Sequence, residues 1–101
     1  MTRLRETLPP GLVCTRRTAL FTRKTVPEAL LSAHSVKAGV WGLLRVERGR
    51  VRYCLDAEPA CTLVVAGGCT VVIEPRTPHH VELVDQDSAF LVEFHTAKTA
   101  A

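Results

Sequence analysis

The sequence predicts an all-β domain, and three observations carry that expectation. From Val40 onward, short runs rich in Val, Leu, Ile and aromatic residues alternate with turn residues at a spacing of roughly ten residues, the pattern of a sandwich or barrel. Val51, Tyr53 and Leu55 alternate with Arg50, Arg52 and Cys54, a period of two that suits a strand with one wet face. No helical periodicity of useful length interrupts these runs.

The expected strands follow in order: Val40–Glu47, Val51–Leu55, Thr62–Val65, Thr70–Glu74, His79–Val84 and Ala89–His95. Their punctuation is Arg48-Gly49-Arg50, Asp56 to Ala60, Gly67-Gly68, Pro75 to Pro78 and Asp85 to Asp87, residue types that favour turns by supplying positive φ or by fixing it. Gly67-Gly68 reads as a hairpin turn, because no helix follows to make it a phosphate cradle. The first third is less regular. Thr15 to Phe21 reads as an extended edge strand, Pro27 to Ser32 as one helical turn after a proline start, and the next segment as a strand carrying His34. The core is expected over residues 8–95, with 96–101 as a flexible tail.

A chain of 101 residues has room for one hydrophobic core, so 1–101 is read as a single domain. Apolar residues make up 47% and charged residues 23%, a globular balance. The formal charge of +3 is mild, and one Trp, one Tyr and three Phe supply no stacking platform, so nucleic-acid binding is not expected. No apolar run reaches the roughly 18 to 20 residues that cross a bilayer, and the start lacks the apolar core of a secretory signal. The expectation is a cytoplasmic protein with no membrane contact. Cys14, Cys54, Cys61 and Cys69 contain no C-x-x-C pair and read as free thiols, with a Cys54–Cys61 redox pair as a minor alternative.

A strand-only chain must protect its sheet edges, and two sheets closed as a jelly roll do so. An immunoglobulin-like sandwich is the competitor; it would be argued from a Cys…Trp…Cys arrangement, whereas Trp41 here precedes three of the four cysteines.

The chemistry-bearing candidates sit at strand ends. His34 precedes the tight Lys37-Ala38-Gly39 bend, and His79 follows Pro75 to Pro78. Alternation puts His79, Val81 and Leu83 on one face and His80, Glu82 and Val84 on the other, so His79 is expected to point inward. An inward imidazole can be a metal ligand, a general base or a core histidine. With His34 beside it, a site for a divalent ion such as zinc, iron or nickel becomes possible. Glu74, Glu82 and Glu93 are the candidate third donors, and Glu93 completes the proposed set, although Phe90, Val92 and Phe94 on the core face would turn it outward. Trp41 and Lys37 are the candidate ligand-contacting residues beside that site. Arg45, Arg48, Arg50 and Arg52 are either a solvated hairpin face or an oxyanion-attracting patch.

The stretches His34-Ser-Val-Lys-Ala-Gly-Val-Trp-Gly42, Val46-Glu-Arg-Gly49, Val72-Val-Ile-Glu-Pro75, Pro78-His79-His80-Val-Glu82 and Phe90-Leu-Val-Glu-Phe94 resemble the TehB/YeaR-like domain family. The resemblance implies a cupin-type double-stranded β-helix (a jelly-roll barrel), a link to tellurite or stress resistance, and a metal ion, small molecule or oxyanion as ligand. It also implies a possible homodimer. In the general cupin pattern His34 matches the first histidine of motif one, Gly49 its closing glycine, and His79 the histidine of motif two. Val36 stands in place of the second histidine, and Trp41 stands near the glutamate position. The pattern is therefore short by two ligands, and a metal-free sensor or interaction module is the alternative function.

Overall fold

The computed structural model describes residues 7–56 and 60–97. Eight strands form two antiparallel sheets: β1 Leu12–Arg17, β2 Phe21–Thr22, β3 Trp41–Arg48, β4 Arg50–Leu55, β5 Cys61–Ala66, β6 Thr70–Ile73, β7 His79–Leu83 and β8 Ala89–Ala97. One sheet runs β1-β8-β3-β6, with β2 also paired to β8, and the other runs β5-β4-β7. Each of the six expected strands after Val40 is present to within a residue or two at its ends. Among the described residues the ladders run within each sheet and do not join one sheet to the other as a closed barrel.

The period-two pattern explains which faces meet. Leu44, Val46, Val71, Ile73, Phe90 and Val92 from the larger sheet pack against Val51, Tyr53, Leu55, Val65 and Val81 from the smaller one. At about 25 cal/mol per Å2 of apolar surface, this shared layer is the main favourable contribution to folding. No helix is long and apolar enough to cross a membrane among the described residues.

Two glycine turns make strand crossovers rather than hairpins. Gly49, at φ +65°, carries the chain from β3 in one sheet to β4 in the other. A Cβ there would lie 2.7 Å from Ser88 Oγ and 2.9 Å from Ser88 Cα, so only glycine fits. The expected hairpin at Gly67-Gly68 is corrected in the same way, because it links β5 and β6, which belong to different sheets. Cys69 N–H donates to Ala66 O at 2.9 Å, and Gly68 at φ +89° closes a tight turn of type II character. Gly67 N–H donates to Gly49 O at 2.8 Å, tying the two crossovers together.

The first third differs in detail from the sequence expectation. The edge strand is split into β1 and the two-residue β2. A 3-10 turn spans Glu28–Leu31 after Pro27, as expected. His34 lies in no strand, and instead makes an isolated antiparallel bridge to His79. β8 continues to Ala97, with Thr96 opposite Val13 and Ala97 opposite Leu12, so the strand runs two residues into the segment expected as a tail. Residues 98–101, and the 57–59 portion of the turn expected over Asp56 to Ala60, lie outside the described residues.

Candidate functional site

The bridge between residues 34 and 79 is built from backbone. His34 N–H donates to His79 O at 2.9 Å, and His79 N–H donates to His34 O at 2.8 Å. Arg76, in the left-handed region at φ +59°, donates its N–H to Val36 O at 2.7 Å. Val40 N–H reaches Lys37 O at 3.1 Å across Gly39 at φ +81°, forming the bend that the sequence indicates. These bonds pin the 34–40 segment along the edge of β7.

That segment brings the two imidazoles together, with ring centroids 4.2 Å apart and planes inclined by 61°. Each Nδ1 faces a backbone carbonyl: Ser32 O at 2.9 Å for His34 and Thr77 O at 2.8 Å for His79. A carbonyl oxygen can only accept, so each Nδ1 carries a proton and donates it. His79 is 2% exposed. Burial pulls its pKa below the ordinary histidine value, opposed by the Thr77 carbonyl and aided by neighbouring His34, so the ring is neutral near pH 7.

His34 and His79 line a half-open cavity of about 680 Å3 between the inner face of the larger sheet and the 27–40 segment. Its walls are largely apolar, with Phe21, Leu30, Val36, Ile73, Val92 and Phe94, while Arg16 and Lys37 add positive charge. The Arg16 guanidinium lies 5.5 Å above the Phe94 ring, a cation–π distance. Arg16 was not singled out by sequence reasoning, since only the β1–β8 pairing brings it to the cavity.

Two proposed site residues lie elsewhere. Phe90 and Val92 of β8 are in the core and Phe94 packs against it, so Glu93 points to the opposite face of the sheet, as the alternation indicated. There Arg17 reaches its carboxylate at 2.8 Å, Arg45 at 3.6 Å and His95 at 3.1 Å. Burial would raise the Glu93 carboxyl, but His95, Arg45 and Arg17 outweigh it and hold it below the usual range. Trp41 is likewise on that outer face, opposite His95 across the β3–β8 ladder, because Gly42, Leu44 and Val46 are the buried positions of β3. Lys37 alone of the two ligand-contacting candidates lines the cavity. Among the described residues no third His, Cys, Asp or Glu joins His34 and His79 as a metal donor.

The four arginines of the central segment do not form one patch. Arg45 belongs to the outer face of the larger sheet, near Glu93. Arg50 and Arg52 belong to the smaller sheet and are paired with Asp85 at 2.7 Å and with Glu82. All four cysteines are free thiols. Cys61 lies opposite Leu55 and packs against the core, whereas Cys54 points to the other face of the sheet, which excludes a disulfide between them.

The described residues contain two clusters able to hold a metal, Cys14 with Glu93 and His95, and Cys54 with His80 and Glu82. Sequence reasoning missed both. The alternation put His80 and Glu82 on one face, but finding Cys54 opposite them needs the strand register.

Comparison with known proteins follows the fold closely. The family model of the TehB-like domain matches residues 16–92. The uncharacterized protein YeaR of Escherichia coli strain K12 is 26% identical over 98 residues, covering 89% of this chain and 82% of YeaR. TehB of Haemophilus influenzae strain 10810, named a probable S-adenosyl-L-methionine-dependent methyltransferase, is 24% identical over 91 residues, covering 86% of this chain and 32% of TehB. A crystal structure of an E. coli K12 protein superposes with a TM-score of 0.84 at 25% identity, covering 92% of this chain and 98% of that one. The crystal structure of TehB from H. influenzae gives 0.80 at 22% identity, over 87% of this chain and 32% of TehB. A more distant likeness in fold, with a TM-score of 0.53 at 17% identity, reaches Fe(II) HppE over 64% of this chain and 34% of that one.

Proposed function

Given that the chain belongs to the TehB-like domain family, we propose that it is a small-molecule-binding domain whose ligand occupies the cavity beside His34 and His79. The observation that carries this reading is the pair of imidazoles, each with Nδ1 tied to a backbone carbonyl, on the wall of a mostly apolar cavity of about 680 Å3. That size and lining are those of small-ligand sites, in which a few polar groups fix the orientation of an apolar body. With Arg16 and Lys37 on the lining, the favoured ligand is a small anion with an apolar portion. The oxyanion suggested by the family's tellurite link is a second probe of the same positive charge. In this reading the two sheets are those of a cupin-type jelly roll.

A cupin-type metal centre does not fit these residues. Zinc and similar ions usually take at least three protein donors, and His34 and His79 are two. Val36 lines the cavity where the pattern would place a further histidine, and Trp41 and Glu93 face the other way. Metal-free binding at this cavity is therefore proposed, with no catalytic step. A homodimer would pair through β5, an edge strand with Leu63 39% and Val64 48% exposed; a scattering mass of one chain would remove that pairing.

The test is titration of benzoate, hexanoate and tellurite at low salt, read by histidine side-chain NMR and thermal shift. Saturable binding that moves the His34 and His79 resonances and is lost in Val36→Trp, which fills the cavity, supports the reading. Binding that persists in Val36→Trp, or no binding by any probe, overturns it.

A further inference from the structure

We propose that Cys54, His80 and Glu82 form a divalent-metal site, best suited to zinc, on the outer face of the three-stranded sheet, with Asp56 orienting the histidine. This site lies on the opposite side of the sheet from His79 and is independent of the cavity.

The sequence builds it by strand alternation. Val51, Tyr53 and Leu55 of β4 and Val81 of β7 point into the core, so Cys54, His80 and Glu82 share the other face. Cys54 lies directly opposite His80 in the β4–β7 ladder, and Arg52 lies opposite Glu82. Opposed residues have Cβ atoms about 4.5–5.5 Å apart, which brings three different donor types together without a loop. The Cys54 sulfur, an imidazole nitrogen of His80 and a Glu82 carboxylate oxygen all lie within 4.8 Å of one another. A tetrahedral zinc with bonds of about 2.0–2.3 Å holds its donors roughly 3.5 Å apart, a contraction that side-chain rotation supplies.

Asp56 provides the orienting partner. Its two carboxylate oxygens lie 2.9 and 2.8 Å from His80 Nδ1, while Nε2 faces Glu82 Oε2 at 3.3 Å. A carboxylate on one ring nitrogen fixes the tautomer and leaves the other nitrogen to the metal, the arrangement found around ligating histidines. The other cluster lacks this character. In Cys14, Glu93 and His95 the one carboxylate already faces two guanidiniums, Arg17 at 2.8 Å and Arg45 at 3.6 Å, which repel a cation. Around Cys54 there are two carboxylates: Glu82 pairs with the guanidinium of Arg52, while Asp56 pairs with His80.

Binding replaces the thiol proton: the divalent ion and the Cys54 S–H give a metal–thiolate bond, and one proton passes to solvent. Cys54, His80 and Glu82 supply three donors and leave the fourth position for water.

The experiment is cobalt(II) titration of the chelator-treated full chain, followed by zinc competition. One equivalent of cobalt should produce a sulfur-to-cobalt charge-transfer band that zinc displaces. Cys54→Ser should abolish the band, His80→Ala should weaken binding at least tenfold, and Asp56→Asn should weaken it roughly 10- to 100-fold. Cys14→Ser and His79→Ala should leave the band in place. Absence of the band in the wild type, its survival in Cys54→Ser, or its loss in Cys14→Ser overturns the site. Should Cys54→Ser fail to fold, Glu82→Gln at an exposed position decides the matter, since unchanged affinity there also overturns it.

Discussion

His34 and His79 exchange a pair of backbone hydrogen bonds, 2.9 and 2.8 Å long, and that exchange sets their rings 4.2 Å apart. The bridge is main-chain, so it survives loss of either side chain. The side chains themselves carry different loads. His79 is 2% exposed and its ring lies against Tyr53 at a centroid distance of 5.3 Å, whereas His34 is only partly covered.

His79→Ala should therefore destabilise the fold by about 2–4 kcal/mol, as a cavity left by a large core side chain does. His34→Ala should cost less than about 1.5 kcal/mol, the range of a part-buried hydrogen bond. Urea unfolding measures both. In a domain of this size each kcal/mol corresponds to roughly 4–8 °C in Tm, so the two variants are easily separated by heat as well. Equal losses would mean that His79 is not the packed member of the pair.

Gly49 and Gly68 share positive φ but differ in their surroundings, which makes them a matched test of backbone strain against steric contact. A Cβ at Gly68 meets nothing within 4 Å, so Gly68→Ala should cost about 1–2 kcal/mol for the left-handed backbone alone. At Gly49 the same Cβ meets the Ser88 backbone, and Ser88 cannot retreat. Its hydroxyl donates to Arg50 O at 2.7 Å and accepts from Asp85 N–H at 2.9 Å. Gly49→Ala should lose at least about 1 kcal/mol more than Gly68→Ala, the scale of an overpacked core substitution. Denaturant midpoints at unchanged slope check the difference.

The strand boundaries after Val40 were legible because alternation and turn residues are local signals, and Tyr53 announces its buried side by its neighbours alone. The inward orientation of His79 follows from the same rule. Cross-sheet relationships were not legible in this way. A glycine pair between two strands looks the same whether the strands pair with each other or pass to different sheets, so Gly67-Gly68 read as a hairpin. Trp41 was placed beside His34 by sequence proximity, yet one step along a strand reverses the face, and Gly42 takes the inward position. Arg16 and Cys54 join their partners only through the β1–β8 and β4–β7 registers, which are long-range properties.

Asp85 gives the acid limit of one surface contact. Its carboxylate takes two bonds from Arg50, Nη2 at 2.7 Å and Nε at 3.0 Å, and the Arg50 guanidinium holds its pKa below the usual carboxylate range. A carboxyl depressed on folding contributes stability above its unfolded pKa, and that contribution disappears as pH falls through the folded value. Asp85→Asn should therefore be less stable than the wild type at pH 6, with the gap closing below about pH 4. Because the pair is exposed, added salt should narrow the gap as well. A difference that stays constant down to pH 2 would mean that the charge of Asp85 is not its source.

Thiol reactivity should follow exposure and thiolate content together. Cys14 and Cys69 are exposed, Cys61 is intermediate and Cys54 is buried. Burial also pushes the Cys54 thiol pKa up, with Thr62 opposing it, so little thiolate is present to react at neutral pH. Timed alkylation of the metal-free native protein, read by mass spectrometry of peptides, should label Cys14 and Cys69 first, Cys61 later and Cys54 last. Oxidation should not join Cys54 to Cys61, because their side chains leave opposite faces of the smaller sheet and a disulfide needs Cβ atoms roughly 3.5–4.5 Å apart. If Cys54 were labelled as fast as Cys14, the β4–β7 face would have to open in solution, and hydrogen exchange across those two strands would show the same opening.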